Sequence, residues 1–307
     1  MRNFFAAKLY QEIKKNKKII LLSADIGNRL FDKIKKDFPK NFLNCGIAEP
    51  NMVTFAAGLS KDGFLPVCYT ITNFLIYKSL EQIRNDAIYN NNKILLVGTG
   101  SGLSYSHLGP THHSLEDIGF LNNLPKIKIF SPADNNDLKV HLEYCLKNKN
   151  KNTAYIRLGK KNEPIIFKHK TKIDKINFVL RNNSDIGIVF TGPLSEHIIE
   201  TQKKLEKLNM KVDVINFHQI KPISQNMIKV LKSYKVIYTL EEHFPNTGIH
   251  SILSTIFCNE KVKIFSINSK NEFISELGSR KFVQNKFGIS GKNLFEKILN
   301  DKKKNWN

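Results

Sequence analysis

The sequence predicts an α/β protein of two consecutive domains, each built on a mostly parallel sheet covered by helices. Three observations carry this. Short apolar runs alternate with helical patterns through the first half. A polar, lysine-rich passage over 160–183, without a long helical pattern, interrupts the alternation. A second alternation then begins at Ile186. The expected division is a first domain over 1–165, a connection over 166–183 and a second domain over 184–307.

Element by element, helical periodicity over 3–15 leads to a strand at 19–22 and a turn at 24–28. Further strands are expected at 42–44, 66–69, 94–97, 127–130 and 154–157, with helices near 50–60, 73–89 and 136–146. The second domain opens with a strand at 186–191, then Gly192-Pro193 and a helix over 194–209. Strands follow at 212–217, 236–240 and 262–265. No internal repeat of short period is present.

Composition excludes several classes. The chain has 307 residues, 41% of them hydrophobic, enough for two real cores. No apolar run approaches the ~20 residues of a membrane span. The first residues lack a signal-type apolar core, so a cytoplasmic address is expected. Cys45, Cys68, Cys145 and Cys258 show no metal-ligand spacing and read as reduced, mostly buried thiols. The formal charge of +21 comes mainly from lysines spread along the chain. The densest runs, at 14–18, 33–40, 147–151 and 301–304, lack interleaved aromatics. Weak attraction to anionic metabolites fits them better than dedicated nucleic-acid binding. Walker A, dinucleotide-binding and Gly-x-Ser-x-Gly motifs are absent.

The chemistry gathers in four stretches. Glu49 sits between Gly46-Ile47-Ala48 and the small residues Ala56-Ala57-Gly58. A plain helix-start charge is one reading. The other is a poorly hydrated carboxyl of raised proton affinity, suited to sharing a proton with a bound heterocycle. Phe74 and Tyr77 are three apart on one helix face, either core or an aromatic wall for a flat ring. The segment 98–118 is glycine-rich, follows a strand and holds His107, His112 and His113. Imidazoles there suit proton transfer or hydrogen bonding to a hydroxyl or carbonyl. Asp25 and Ile26 end another strand, where a turn capped by the aspartate is the simple reading.

Together these stretches resemble the C-terminal half of transketolases, and the chain is similar to the second subunit of a split, two-chain transketolase. Gly46-Ile-Ala-Glu49-Pro-Asn-Met matches the motif around the family's cofactor-activating glutamate, and Gly109-Pro-Thr-His112 matches its substrate loop. Ser23-Ala-Asp25, Glu81-Gln-Ile-Arg84, Ser131-Pro-Ala-Asp134, Tyr155-Ile-Arg157, Ile220-Lys-Pro222 and Glu241-Glu-His243 continue the similarity in order. It implies a pyrimidine-binding domain of thiamine diphosphate enzymes followed by a transketolase C-terminal domain. The implied activity is transfer of a two-carbon ketol unit between sugar-type substrates. In it Glu49 hydrogen-bonds the aminopyrimidine ring and favours its imino tautomer, and Phe74 and Tyr77 stack on that ring. Ile26 packs on the cofactor beside Asp25, and His112 meets a substrate oxygen with His107 and His113 assisting.

The resemblance also implies what this chain lacks. The Gly-Asp-Gly motif and downstream asparagine that hold magnesium in complete family members are missing. Diphosphate and Mg2+ are therefore expected on an N-terminal partner subunit in an α2β2 assembly, with no metal in this chain. Leu108 replaces an acidic residue, Phe130 stands where an arginine is usual and His113 replaces a glutamine. These changes remove groups suited to a phosphate and a hydroxylated chain. They point to an acceptor other than a pentose phosphate, such as a modified or nucleotide-linked sugar. The alternatives are the β-subunit of a 2-oxoacid dehydrogenase E1 component, and a non-catalytic interaction or basic nucleic-acid-binding protein.

Overall fold

The computed structural model describes residues 1–307 except 28, 148–151, 161–162, 168–170 and 306–307, and no side chain at 304 or 305. Most of the lysine run at 147–151 and part of the 166–183 connection lie outside the described residues. The strands are β1 (Ile19–Ser23), β2 (Phe42–Asn44), β3 (Leu65–Ile71), β4 (Leu95–Thr99), β5 (Lys128–Phe130) and β6 (Ala154–Leu158). Then come β7 (Asn177–Leu180), β8 (Ile186–Phe190), β9 (Asp213–Asn216), β10 (Gln219–Lys221), β11 (Val236–Leu240) and β12 (Lys263–Ile267). A seven-stranded sheet runs β10-β5-β6-β4-β3-β1-β2, and a five-stranded sheet runs β12-β11-β8-β9-β7. All neighbours pair in parallel except β10 with β5 and β7 with β9.

Strand sequences explain the layering. Leu21, Val67, Leu95 and Ile156 face one core, built with Phe5, Leu9 and Ile13 of the helix Arg2–Lys15. Their neighbours Leu22, Cys68, Leu96 and Tyr155 face the other, with Met52, Val53 and Ala56 of the helix Glu49–Lys61. Adjacent residues of a strand point to opposite faces, so parallel strands buried on both sides read as continuous apolar runs. The second of these cores also contains Val189, Ile215 and Ile237 of the five-stranded sheet, so it is shared between the two halves. No helix among the described residues is long and apolar enough to cross a membrane.

Three local features depart from the sequence expectation. The stretch read as connection contains β7, an edge strand of the five-stranded sheet. The residues after β9 form β10, which crosses to the seven-stranded sheet and covers the edge of β5. The helix expected over 73–89 breaks after Thr72–Tyr77 and resumes as Leu80–Gln82 and a π-helical Ile83–Tyr89. There Asn90 and Asn92 donate to the carbonyls of Asn85 and Asp86, in competition with a regular helix end.

The halves are also tied by a buried polar network. Arg157 of β6 donates through Nε and Nη2 to Asp117 at 2.6 and 3.2 Å, and Tyr155 Oη donates to the same carboxylate at 2.6 Å. His243, after β11, places Nε2 3.5 Å from Asp117 and Nδ1 2.9 Å from Glu241. Glu241 accepts the first backbone N–H groups of the helix Ile249–Ile256, from Ile249 and His250. All these side chains are buried. Burial pushes the Asp117 carboxyl up, but Arg157 and His243 outweigh it and hold the group well below the carboxylate range. Burial and the Arg157 charge press His243 down, but the neighbouring Asp117 carboxylate and the hydrogen bond to Glu241 prevail and raise its pKa.

Asp117→Asn removes the charge that offsets buried Arg157, and should cost about 3–5 kcal/mol in denaturant unfolding. The two shifts also set a pH dependence. The His243 contribution is fully present below about pH 6.5 and fades as pH rises through its raised folded value. The Asp117 contribution is present above about pH 3.9 and fades as pH falls through its depressed folded value. Unfolding series across pH should show a decline on the alkaline side that His243→Gln flattens; an unchanged profile in that variant contradicts the assignment.

Candidate active site

Four adjacent strands, β2-β1-β3-β4, bring the expected residues to one end of the sheet, the carboxyl ends where ligands of parallel sheets bind. Asp25 and Ile26 follow β1, Glu49 follows β2, Phe74 and Tyr77 follow β3, and the histidine loop follows β4.

Glu49 opens the helix Glu49–Lys61 and is only 1% exposed. Ala56 and Ala57 are buried in the helix face behind it, whereas Gly58 faces open space and packs against nothing. The residue that sequence reading missed is Lys78, whose Nζ contacts Glu49 Oε2 and lies 5.7 Å from the centre of the Phe74 ring. Its signal was present: Lys78 follows Phe74 by four residues, one helical turn. Phe74 is half-buried and meets the His112 ring edge-on at 5.1 Å. Glu49, Lys78, Phe74 and His112 thus form one continuous group.

The histidine loop is shaped from both sides. Gly109 has φ +80, a left-handed conformation that glycine adopts freely, and starts the turn Pro110–His112. Gly102 has φ +63, and a Cβ there would fall 1.8 Å from Glu242 Oε2, itself held by Arg280 at 2.9 and 2.7 Å. Asn73 donates to the Thr111 carbonyl, fastening the loop to the helix after β3. Within the loop, His112 Nδ1 is 3.0 Å from Thr111 Oγ1, and Tyr105 lies 6.2 Å from both the His107 and the His112 rings. His107 is exposed and His112 half-buried. His113 is 4% exposed with neither ring nitrogen partnered. Burial lowers the pKa of His112, helped by neighbouring His107. Burial likewise lowers that of His113 despite Glu242 nearby.

Two cavities border the histidine loop. One, about 870 Å³, is lined by Asp25, Ile26 and Tyr105 with the cations Arg2, Arg29 and Lys33. Asp25 has φ +47, and its Oδ1 accepts from the Asn44 amide at 3.0 Å, fastening the ends of β1 and β2. The other, about 320 Å³, is lined by Asn73, Tyr77, His113, Glu116, Phe244 and Phe273, among others. Tyr77 donates its hydroxyl to Glu116 and packs edge-on to Phe120, so its ring opens to this second cavity.

The family profile described as "Transketolase, pyrimidine binding domain" matches residues 1–164, and "Transketolase, C-terminal domain" matches residues 175–289. A subunit of the apulose-4-phosphate transketolase from Actinobacillus succinogenes is 30% identical over 276 residues, covering 86% of each chain. A 1-deoxy-D-xylulose-5-phosphate synthase from Dehalococcoides mccartyi is 28% identical over 304 residues, which are 96% of this chain and 47% of that protein. The chain thus spans about half the length of that relative. Among solved structures, one described as "Split gene transketolase, inactive beta4 tetramer" superposes with a TM-score of 0.87 at 24% identity, covering 97% of both chains. A transketolase mutant from Pichia stipitis gives 0.79 at 17%, covering 97% of this chain and 45% of that one. These likenesses show the fold.

The lowered values of His112 and His113 predict neutral imidazoles at neutral pH. Their NMR titrations should fall below about 6.5, the ordinary imidazole value; midpoints at or above it contradict the burial argument.

Proposed function

The chain belongs to the transketolase family, and we propose that it is the subunit of a two-chain transketolase that holds the aminopyrimidine end of the cofactor and one wall of the substrate channel. The family works through thiamine diphosphate, which when bound supplies the carbon nucleophile that carries a two-carbon ketol unit. The observation that carries the reading is Glu49, a carboxylate buried at a helix start and linked through Lys78 to Phe74 and His112.

In this reading Glu49 accepts a hydrogen bond from the aminopyrimidine ring nitrogen and holds the proton there. Lys78, on the other carboxylate oxygen, fixes the orientation of that group. Phe74 offers its free face to the ring, and Ile26 with Asp25 closes one side. Neutral His112 can both donate to and accept from a substrate hydroxyl or carbonyl, with His107 at the channel mouth. Tyr77 and His113 back the loop from the second cavity.

Diphosphate and Mg2+ are assigned to the partner subunit. Among the described residues, the one cluster of three possible metal ligands lies at Asp137, His141 and His218, in the helix after β5 and beside β10, outside this group. Mg2+ takes oxygen ligands, which the Glu49 group does not assemble. Ile47 is 77% exposed and Leu43 42% exposed on and after the edge strand β2, an uncovered apolar margin beside Glu49 that suits a partner chain. We read the assembly as α2β2, with each active site between unlike subunits. The acceptor is read as an anionic sugar larger than a pentose phosphate, because the 870 Å³ cavity is roomy and ringed by Arg2, Arg29 and Lys33. Leu108 lies exposed at its loop, whereas Phe130 is buried against His141 and presents nothing to a substrate. All four cysteines are free, consistent with a reducing cytoplasm.

The test is reconstitution with the product of the adjacent reading frame. The chain alone should bind thiamine diphosphate weakly and turn over nothing. The assembled pair with Mg2+ should transfer a ketol unit, and Glu49→Gln should lower its kcat roughly 100- to 10,000-fold without loss of assembly. Turnover by the chain alone, or an unimpaired Glu49→Gln enzyme, overturns the reading.

A further inference from the structure

Away from the histidine loop, three fully buried side chains from both halves of the molecule meet at one point. Asp137 and His141 lie one turn apart on the helix Asn135–Leu146, and His218 stands between β9 and β10. Nε2 of His141 is 2.6 Å from Nδ1 of His218 and 3.7 Å from Oδ1 of Asp137. All three potential ligand atoms lie within 4.8 Å of one another.

The outer atoms of two of the groups are already anchored. Ala133 N–H and the Asn216 amide donate to Asp137 Oδ2 at 3.0 and 2.7 Å. His218 Nε2 donates to the Lys175 carbonyl at 3.2 Å. That bond assigns the proton of His218 to Nε2, so Nδ1 is an acceptor and His141 Nε2 carries the proton between the rings. Asp137 Oδ1 and Asn216 Oδ1 remain buried with no partner. An unpartnered buried oxygen is costly, and an unplaced ion is one of the few things that explains it. Metal ligands have their outer atoms held in this way.

We propose that Asp137, His141 and His218 bind one divalent transition-metal ion of the zinc type, a structural clasp between the two halves, with water or Asn216 Oδ1 completing four-coordination. The ligand set, two imidazoles and a carboxylate, suits such an ion better than Mg2+ or Ca2+. Binding moves the His141 proton from Nε2 to Nδ1, which has no partner in the free form. The two rings lie 5° from parallel with centres 4.9 Å apart, so their nitrogens face each other along the hydrogen bond. Binding turns both rings toward the ion and opens the nitrogen pair from 2.6 Å to about 3.3 Å, the tetrahedral span of two bonds of about 2.0 Å.

The test uses the full chain, stripped with a chelator and titrated with Zn2+ against a chromophoric competitor. One equivalent should bind and raise the thermal midpoint, and Co2+ in its place should give a visible tetrahedral absorption band. Asp137→Asn and His141→Asn should each weaken binding at least about tenfold and abolish the band. If the wild-type chain retains no metal and its midpoint does not move, the two histidines share only a proton and the proposal fails. Unchanged Zn2+ affinity in variants shown to be folded places the metal elsewhere and also overturns it. Should a variant not fold, the Co2+ band and stoichiometry of the wild-type chain still decide.

Discussion

The arrangement rests on one buried charge, the carboxylate of Asp117. It faces Arg157 from the first sheet and His243 from the second half of the chain, and all three are buried. A buried guanidinium without its partner is far more costly than the pair is favourable, so the network works as a constraint on geometry rather than a source of stability. With those groups in register, Glu242 comes to lie against Gly102 and Thr247 donates to the Leu115 carbonyl. The histidine loop is therefore moulded by the second half of the chain.

This explains why motifs scattered over more than a hundred residues belong together. Asp117, Tyr155, Arg157, Glu241 and His243 do not line the 870 Å³ cavity. Their place is in the joint that holds the loop. The groups with chemical reach, Glu49, Phe74, Lys78 and His112, all come from successive strand ends of a single sheet.

How much was legible follows from the same geometry. Strands buried on both faces announce themselves as apolar runs, so β1, β3 to β6, β8, β9 and β11 could be read directly, while the edge strands β2 and β12, only partly covered, could be read from their short apolar runs. The strands β7 and β10 could not, because β7 lies inside the polar, lysine-rich passage and β10 owes its strand form to the edge of β5. That Glu49, Phe74 and the histidine loop stand just beyond strand ends was legible, because the strand before each reads as an apolar run. Lys78 carried only its one-turn spacing from Phe74 as a signal, since a lysine on a helix is ordinarily a solvated charge, and the fold is needed to show that it reaches a buried carboxylate. The Tyr77 hydroxyl on Glu116, and the meeting of Asp137 and His141 with His218, are long-range pairings that no local pattern encodes.

The position of β10 bears on how the molecule is made. Its residues, 219–221, supply the last strand of a sheet whose other six are complete by residue 158. During synthesis from the N-terminus, the first half emerges with the flank of β5 bare until some sixty further residues have left the ribosome. A bare flank of that kind is a template for the wrong neighbour. The nascent chain must therefore tolerate an unfinished sheet for seconds, and a ribosome stalled between the two halves would release a fragment prone to stick to its own kind.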